Sequence, residues 1–240
     1  MERGLAGSRE RAQALVLAGK ILVDGQKMEK AGAAVDCAAE LRVLGEDLKY
    51  VSRGGVKLEK ALEHWHIDVQ GKVCMDVGAS TGGFTDCLLQ HGAARVIAID
   101  TGYGQIAHRL RQDPRVRLLE RTNARYLKPD DIGEAVDFAA LDVSFISATL
   151  VLPAVLRAAR AGAHRRLELV VLVKPQFEAG REAVGKGGIV RDPKAQLAAV
   201  ERVRRAAIEL GAAASDVTDS PILGAEGNRE FLLHAVFENL

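Results

Sequence analysis

The chain has 240 residues, 48% of them hydrophobic and 27% charged, with 33 basic side chains against 32 acidic ones. That length suits one sizeable domain and a small one. The balanced charge excludes a basic tail or a wholly cationic coat, so any contact with RNA or DNA must be local. The longest apolar run, residues 167–173, is interrupted by Glu168 and falls far short of the ~20 residues a bilayer needs. Met1-Glu2-Arg3-Gly4 lacks the basic-then-apolar pattern of a secretory signal. Cys37, Cys74 and Cys87 are too few and too scattered for a disulfide framework or a metal site. A cytoplasmic protein with no stable membrane insertion is expected.

In chain order, Ser8 can cap a short helix over 9–18, with Ala12, Leu15 and Val16 on one face and Gly19 as its stop. Ile21-Leu22-Val23 and Gln26-Lys27-Met28 flank Asp24-Gly25, a strong hairpin signal. A further strand near Leu41-Arg42-Val43 completes a small α+β module over 1–45, followed by a polar, glycine-flanked linker over 46–55. From residue 56 the pattern alternates. Leu58, Ala61, Leu62 and Trp65 have helical spacing. Strands are predicted at 72–77, 95–100, 115–119, 136–142, 167–173 and 230–237. Between them, Phe84, Cys87, Leu88 and His91 share a helix face, as do Leu197, Val200, Val203, Ala207 and Leu210. Mostly apolar strands alternating with amphipathic helices imply an α/β fold: a largely parallel sheet of Rossmann type, with helices on both faces. Ligands of such sheets bind beyond the carboxyl ends of the strands.

After the first of these strands the chain reads Asp76-Val77-Gly78-Ala79-Ser80-Thr81-Gly82-Gly83-Phe84. Small residues at a strand-to-helix turn let the backbone approach a ligand. Ser80 breaks the dinucleotide fingerprint, and the phosphate-cradling loop is absent; the near miss from Gly180 to Gly187 lacks its magnesium-binding hydroxyl. The remaining pattern is a pair of strand-end carboxylates, Asp76 and Asp100, around spaced glycines. One suits ribose hydroxyls and the other a cationic amino-acid moiety, which together describe S-adenosyl-L-methionine. A glycine turn that merely packs is the plainer alternative.

The loop resembles that of the FtsJ-type ribose 2′-O-methyltransferases, whose form is D-x-G-[AS]-x-x-G-G-[FW]. Ser52-Arg53-Gly54-Gly55-Val56-Lys57-Leu58, Leu141-Asp142-Val143-Ser144-Phe145-Ile146-Ser147 and Val173-Lys174-Pro175-Gln176-Phe177-Glu178 narrow the resemblance to the TlyA (haemolysin A) family of ribosomal-RNA cytidine-2′-O-methyltransferases. It extends over nearly the whole chain. It implies a module over 1–45 similar to the RNA-binding domain of ribosomal protein S-four, here shortened at its start, and a methyltransferase domain over 56–240. It also implies ribosomal RNA or ribosomal subunits as partners and S-adenosyl-L-methionine as donor, held by Asp76, Gly78, Ser80, Thr81, Gly82, Gly83, Phe84, Asp100, Asn123 and Asp142. FtsJ-type enzymes use a K-D-K-E tetrad, matched here by Lys57, Asp142, Lys174 and Glu230. Each is expected at the sheet's edge: before the first helix, after the fourth and fifth strands, and opening the last.

By that resemblance Lys174 takes the proton of the 2′-hydroxyl, Lys57 and Glu230 orient the ribose, and Asp142 helps hold Lys174 and the donor. A free lysine has a pKa of ~10.4 and a useful base wants ~7–8, a difference worth ~4 kcal/mol. Desolvation and Lys57 favour such a fall while Asp142 and Glu230 oppose it. The sequence therefore leaves Lys174 either a general base or a positioning group. Arg9, Arg11, Lys20 and Lys27 match the RNA-gripping helix and hairpin of the family's module, and Arg53 joins them. A membrane-active haemolysin, as the family's name suggests, and an inactive RNA-binding assembly factor are the rival functions.

Overall fold

The computed structural model describes residues 3, 5, 6, 9–17, 19–28, 30–44, 49–160 and 166–238. It divides into two compact units, Met1–Leu48 and Lys49–Leu240. In the smaller, α1 (Arg9–Leu17) precedes β1 (Ile21–Val23), β2 (Gln26–Lys27) and β3 (Leu41–Val43), paired antiparallel in the order β2-β1-β3. Leu15 supplies the buried side of α1, as its spacing predicts. Asp24 and Gly25 both take positive φ, 49° and 79°, the left-handed pair a two-residue hairpin turn requires. The Asp24 carboxylate accepts the Glu40 N–H at 2.7 Å, tying the turn to the approach of β3. Ser8, the expected cap, lies outside the described residues.

The larger unit runs α2 (Gly54–His64), β4 (Val73–Val77), α3 (Gly83–Gln90), β5 (Arg95–Ile99), α4 (His108–Arg111), β6 (Val116–Leu119), α5 (Pro129–Ile132), β7 (Phe138–Leu141), α6 (Ala148–Ala159), β8 (Arg166–Val173), α7 (Pro175–Glu178), α8 (Pro193–Glu209), β9 (Ala212–Asp219) and β10 (Phe231–Glu238). Seven strands form one sheet in the order β6-β5-β4-β7-β8-β10-β9. β4 to β8 pair parallel; β10 inserts antiparallel between β8 and β9. Alternate strand residues feed two cores. Met75, Val77, Ile97, Ile99, Leu141 and Val171 pack with α6 and α8, while Cys74, Val96, Ala98, Phe138, Ala140 and Leu172 pack with α2 and α3. Period-two burial into both faces is what a doubly covered sheet demands. The chain therefore has a Rossmann-like architecture, α/β with a mostly parallel sheet between helical layers.

Three details depart from the reading of the sequence. The segment taken as a linker over 46–55 is, from Lys49 on, part of the larger unit: Tyr50 is buried and donates to Glu59 at 2.8 Å, and the Val51 N–H donates to Asp86 at 2.8 Å. Lys57 lies inside α2 rather than before it. Leu197 is exposed, because α8 turns Gln196, Ala199, Val200, Val203 and Ala207 inward instead, with Gln196 satisfied by the Val190 carbonyl at 2.8 Å. Among the described residues no helix is long and apolar enough to cross a membrane.

Candidate active site

Beyond the carboxyl ends of β4, β5 and β7 lies a cavity of about 290 Å³, lined among others by Gly78, Ser80, Asp100, Asn123, Asp142, Ser144 and Phe145. The turn after β4 is shaped by protein contacts. Gly78 has φ 91°, and a Cβ there would stand 2.5 Å from the Asp142 carbonyl oxygen. Gly82, at φ 95°, caps α3 where a side chain would strike Leu110. These glycines let the turn approach the β7–α6 loop and α4, and Gly78 lines the cavity as well. Ser80 stands where the dinucleotide fingerprint has glycine, yet holds φ 48°. Its N–H donates to Asp100 Oδ2 at 2.7 Å, and the Gly102 N–H donates to Oδ1 at 2.6 Å. Both oxygens of Asp100 are thereby oriented at the end of β5.

Five residues expected to touch the donor are absent from the cavity wall: Asp76, Thr81, Gly82, Gly83 and Phe84. Asp76 is fully buried, and its Oδ2 accepts both the N–H and the hydroxyl of Thr85, at 2.8 and 2.6 Å. It thus pins the first turn of α3 to β4. Burial pushes its carboxyl up to about 7; the Thr85 hydroxyl opposes that, while the nearby Asp142 and Asp100 charges add to it. Gly83 and Phe84 open α3 and are buried, whereas Thr81 is exposed. Asn123 lines the cavity, and its side-chain oxygen accepts the Arg125 N–H at 3.0 Å, so it caps the turn after β6 as well.

The four residues of the expected tetrad form two ion pairs. Lys57 Nζ lies 2.5 Å from Glu230 Oε2, a link across 173 positions with both side chains buried. Lys174 Nζ lies 2.6 Å from Asp142 Oδ1 and donates to Ser144 Oγ at 2.7 Å. The strands explain the convergence. β7, β8 and β10 are neighbours, and the last β8–β10 partners are Val173 and Phe231, so Lys174 and Glu230 leave the sheet side by side. Asp142 directly follows β7, and α2 brings Lys57 over β10. Ser144 and Phe145 were not singled out from the sequence, although their place just after a strand-end aspartate was the available signal. Of the expected RNA contacts, Arg9, Lys20 and Lys27 are exposed on the smaller unit and Arg53 is exposed on the larger one; the side chain of Arg11 lies outside the described residues.

Among the described residues the wall carries two carboxylates, hydroxyls, amides and apolar side chains, and neither lysine nor arginine. That donor set suits a cationic ligand with an uncharged sugar and base, and opposes a phosphate. It fits S-adenosyl-L-methionine.

Comparison with known proteins agrees with this chemistry. The family model described as FtsJ-like methyltransferase matches residues 50–237. The chain is 49% identical over 234 residues to the 16S/23S rRNA (cytidine-2′-O)-methyltransferase TlyA of Mycobacterium tuberculosis, covering 97% of this chain and 86% of that protein. It is 40% identical over 235 residues to Hemolysin A of Brachyspira hyodysenteriae, covering 97% and 95%. A solved structure, "Putative hemolysin from Streptococcus thermophilus", superposes with a TM-score of 0.78 at 44% identity, covering 99% of this chain and 86% of that one.

Proposed function

This chain belongs to the FtsJ-like methyltransferase family, and from that premise we propose that it methylates a cytidine ribose 2′-hydroxyl of ribosomal RNA, using S-adenosyl-L-methionine and Lys174 as general base. The observation that carries this reading is Lys174 Nζ held by Asp142 and Ser144 at the lip of a cavity whose wall is acidic and free of basic side chains. The donor, when bound, supplies a methyl group already activated on a sulfonium. What remains for the protein is to align the hydroxyl and remove its proton. Lys174, as the neutral amine, accepts that proton, and Asp142 and Ser144 aim its Nζ. Lys57 and Glu230, at the neighbouring strand end, orient the ribose. Asp100 meets the hydroxyls of the donor's ribose, Asn123 its base, and Asp142 its positive charge. Arg9, Arg11, Lys20, Lys27 and Arg53 bind RNA phosphates, with ribosomal subunits as the partners.

The experiment is incubation of the protein with tritiated S-adenosyl-L-methionine and ribosomal subunits, followed by nucleoside mapping. Label on a cytidine 2′-oxygen is expected; label on protein, on a base or nowhere overturns the reading. Lys174→Arg separates base from positioner, because a guanidinium donates hydrogen bonds but does not become neutral. A general base predicts loss of turnover in that variant. The relative named Hemolysin A favours one second reading, membrane activity, which leakage from liposomes tests directly.

A further inference from the structure

Two segments meet at the lip of the cavity: residues 142–147, between β7 and α6, and residues 174–178, after β8. They are joined three times. Lys174 reaches Asp142 and Ser144, and the Phe177 and Phe145 rings lie 5.4 Å apart. Glu178 makes the third link. Its Oε2 accepts the Ser147 hydroxyl at 2.5 Å and its Oε1 accepts the Ala148 N–H at 2.6 Å. Phe145 is 93% exposed, so its ring contact gives little restraint, whereas Glu178 is 3% exposed, its bond to Ala148 is buried and that to Ser147 is partly so. Shielded, charge-assisted bonds hold geometry far better than exposed contacts.

Residues 142–147 need holding. Phe145 sits at φ 64°, a conformation that a bulky residue keeps only where its surroundings enforce it. Ser147 and Ala148 are the cap and first residue of α6, where free N–H groups favour a negative acceptor. The carboxylate that fills that role comes from the segment that begins with Lys174. A single side chain therefore makes one rigid body of the loop bearing Asp142 and Ser144 and the turn bearing Lys174.

We propose that Glu178 is a positioning residue for the reaction: by clamping 147–148 to 174–178 it sets where Asp142 and Ser144 meet Lys174 Nζ. This rests on the role given to Lys174 above. Glu178 lines no wall of the cavity, so it acts through Lys174 rather than on either substrate. Glutamine can keep the clamp. Its amide oxygen accepts from Ala148, and its amide nitrogen donates to Ser147 Oγ, whose own proton can turn to Thr149 Oγ1, 2.7 Å away. Alanine leaves the buried Ala148 N–H without its acceptor and cuts Ser147 loose from the Lys174 segment, its hydroxyl falling back on Thr149 Oγ1.

The test compares Glu178→Ala and Glu178→Gln by steady-state methyl transfer to ribosomal subunits, by donor affinity, and by the NMR signal of Lys174 Nζ in lysine-labelled protein, identified by its loss in Lys174→Ala. Glu178→Ala is expected to lower kcat about 30-fold, with KM for RNA and donor affinity within about threefold, and to move the Lys174 signal. Glu178→Gln should stay within about threefold of wild type in every measure and leave the signal in place. If the alanine variant does not fold, Ser147→Ala takes its place, with about a fivefold loss of kcat and a smaller shift of the signal. A folded alanine variant (or Ser147→Ala in its stead) with an unmoved Lys174 signal overturns the proposal, and so does a glutamine variant as impaired as alanine. Absence of RNA methylation in the wild type defeats the function proposed above instead, and the Lys174 signal still decides the role of Glu178.

Discussion

The lysine–carboxylate pairs Lys57–Glu230 and Lys174–Asp142 stand at neighbouring strand ends, yet they are housed differently. Lys57 and Glu230 keep 10% and 3% of their side-chain surface, and they tie α2 to β10 across most of the chain. Lys174 and Asp142 keep 11% and 22%, so the difference lies in the carboxylate, and Asp142 belongs to the cavity wall. A buried pair resists the loss of either member, because the survivor is left charged and dry. At the cavity's lip Lys174 is nearly as shielded as Lys57, but Asp142 is more open and Ser144 Oγ remains as a second partner for Nζ. The first arrangement ties helix to strand; the second stands at the cavity, where the chemistry is proposed.

That contrast sets what substitution should do. Lys174→Ala should lower methyl transfer at least about 1000-fold while donor affinity, measured by calorimetry, stays within about threefold; activity near wild type would remove Lys174 from the reaction. Glu230→Ala should cost about 3–5 kcal/mol in chemical unfolding, against about 1 kcal/mol for Asp142→Ala. Adding Lys57→Ala to Glu230→Ala should recover part of that loss, since no charge is then stranded. Equal losses at the two pairs would erase the distinction.

A third carboxylate tests burial without a partner cation. The folded state holds the proton of Asp76 more tightly than the unfolded chain, so this group contributes stability at low pH that is lost as pH rises from about 4 to about 7. Asp76→Asn keeps an oxygen for Thr85 and should not show that decline, which urea unfolding across the interval would reveal. The smallest effect is expected at the periphery. Removal of residues 1–48 should weaken RNA binding about tenfold and flatten its salt dependence while donor affinity is unchanged.

Most of the sheet could be read from the sequence because its strands are apolar runs ending in a charged residue, as with Leu169-Val170-Val171-Leu172-Val173 before Lys174. Lys174 stood out for the same reason, and the family resemblance supplied Lys57, Asp142 and Glu230 with the roles expected of them. β9 was missed. Its Ala212–Asp219 segment is largely exposed, rich in alanine and aspartate, and stabilised by pairing with β10 at the sheet's edge, which overrides weak strand propensity. The start of α2 was missed because Gly54 and Gly55 are poor helix formers; the buried face of Lys57, Leu58, Ala61 and Leu62 holds it. For Asp76 the sequence could not show the second partner, because a strand-end carboxylate beside a glycine turn reads alike whether it faces a ligand, the next helix or, with one oxygen each, both. Only the fold turns it toward Thr85. Glu178 carried no local pattern at all, since its partners lie 30 residues upstream.

The placement of β10 between β8 and β9 has a consequence for biosynthesis. Until that strand emerges from the ribosome, β8 presents a bare, oily margin of unpaired amides, the kind of template on which chains stick to one another. A growing polypeptide halted before residue 230 already owns the residues lining the cavity beyond β4, β5 and β7 but lacks the acid that pairs with Lys57. The counter-charge for Lys57 and the cover for β8 thus arrive together, with Glu230 and the strand that follows it.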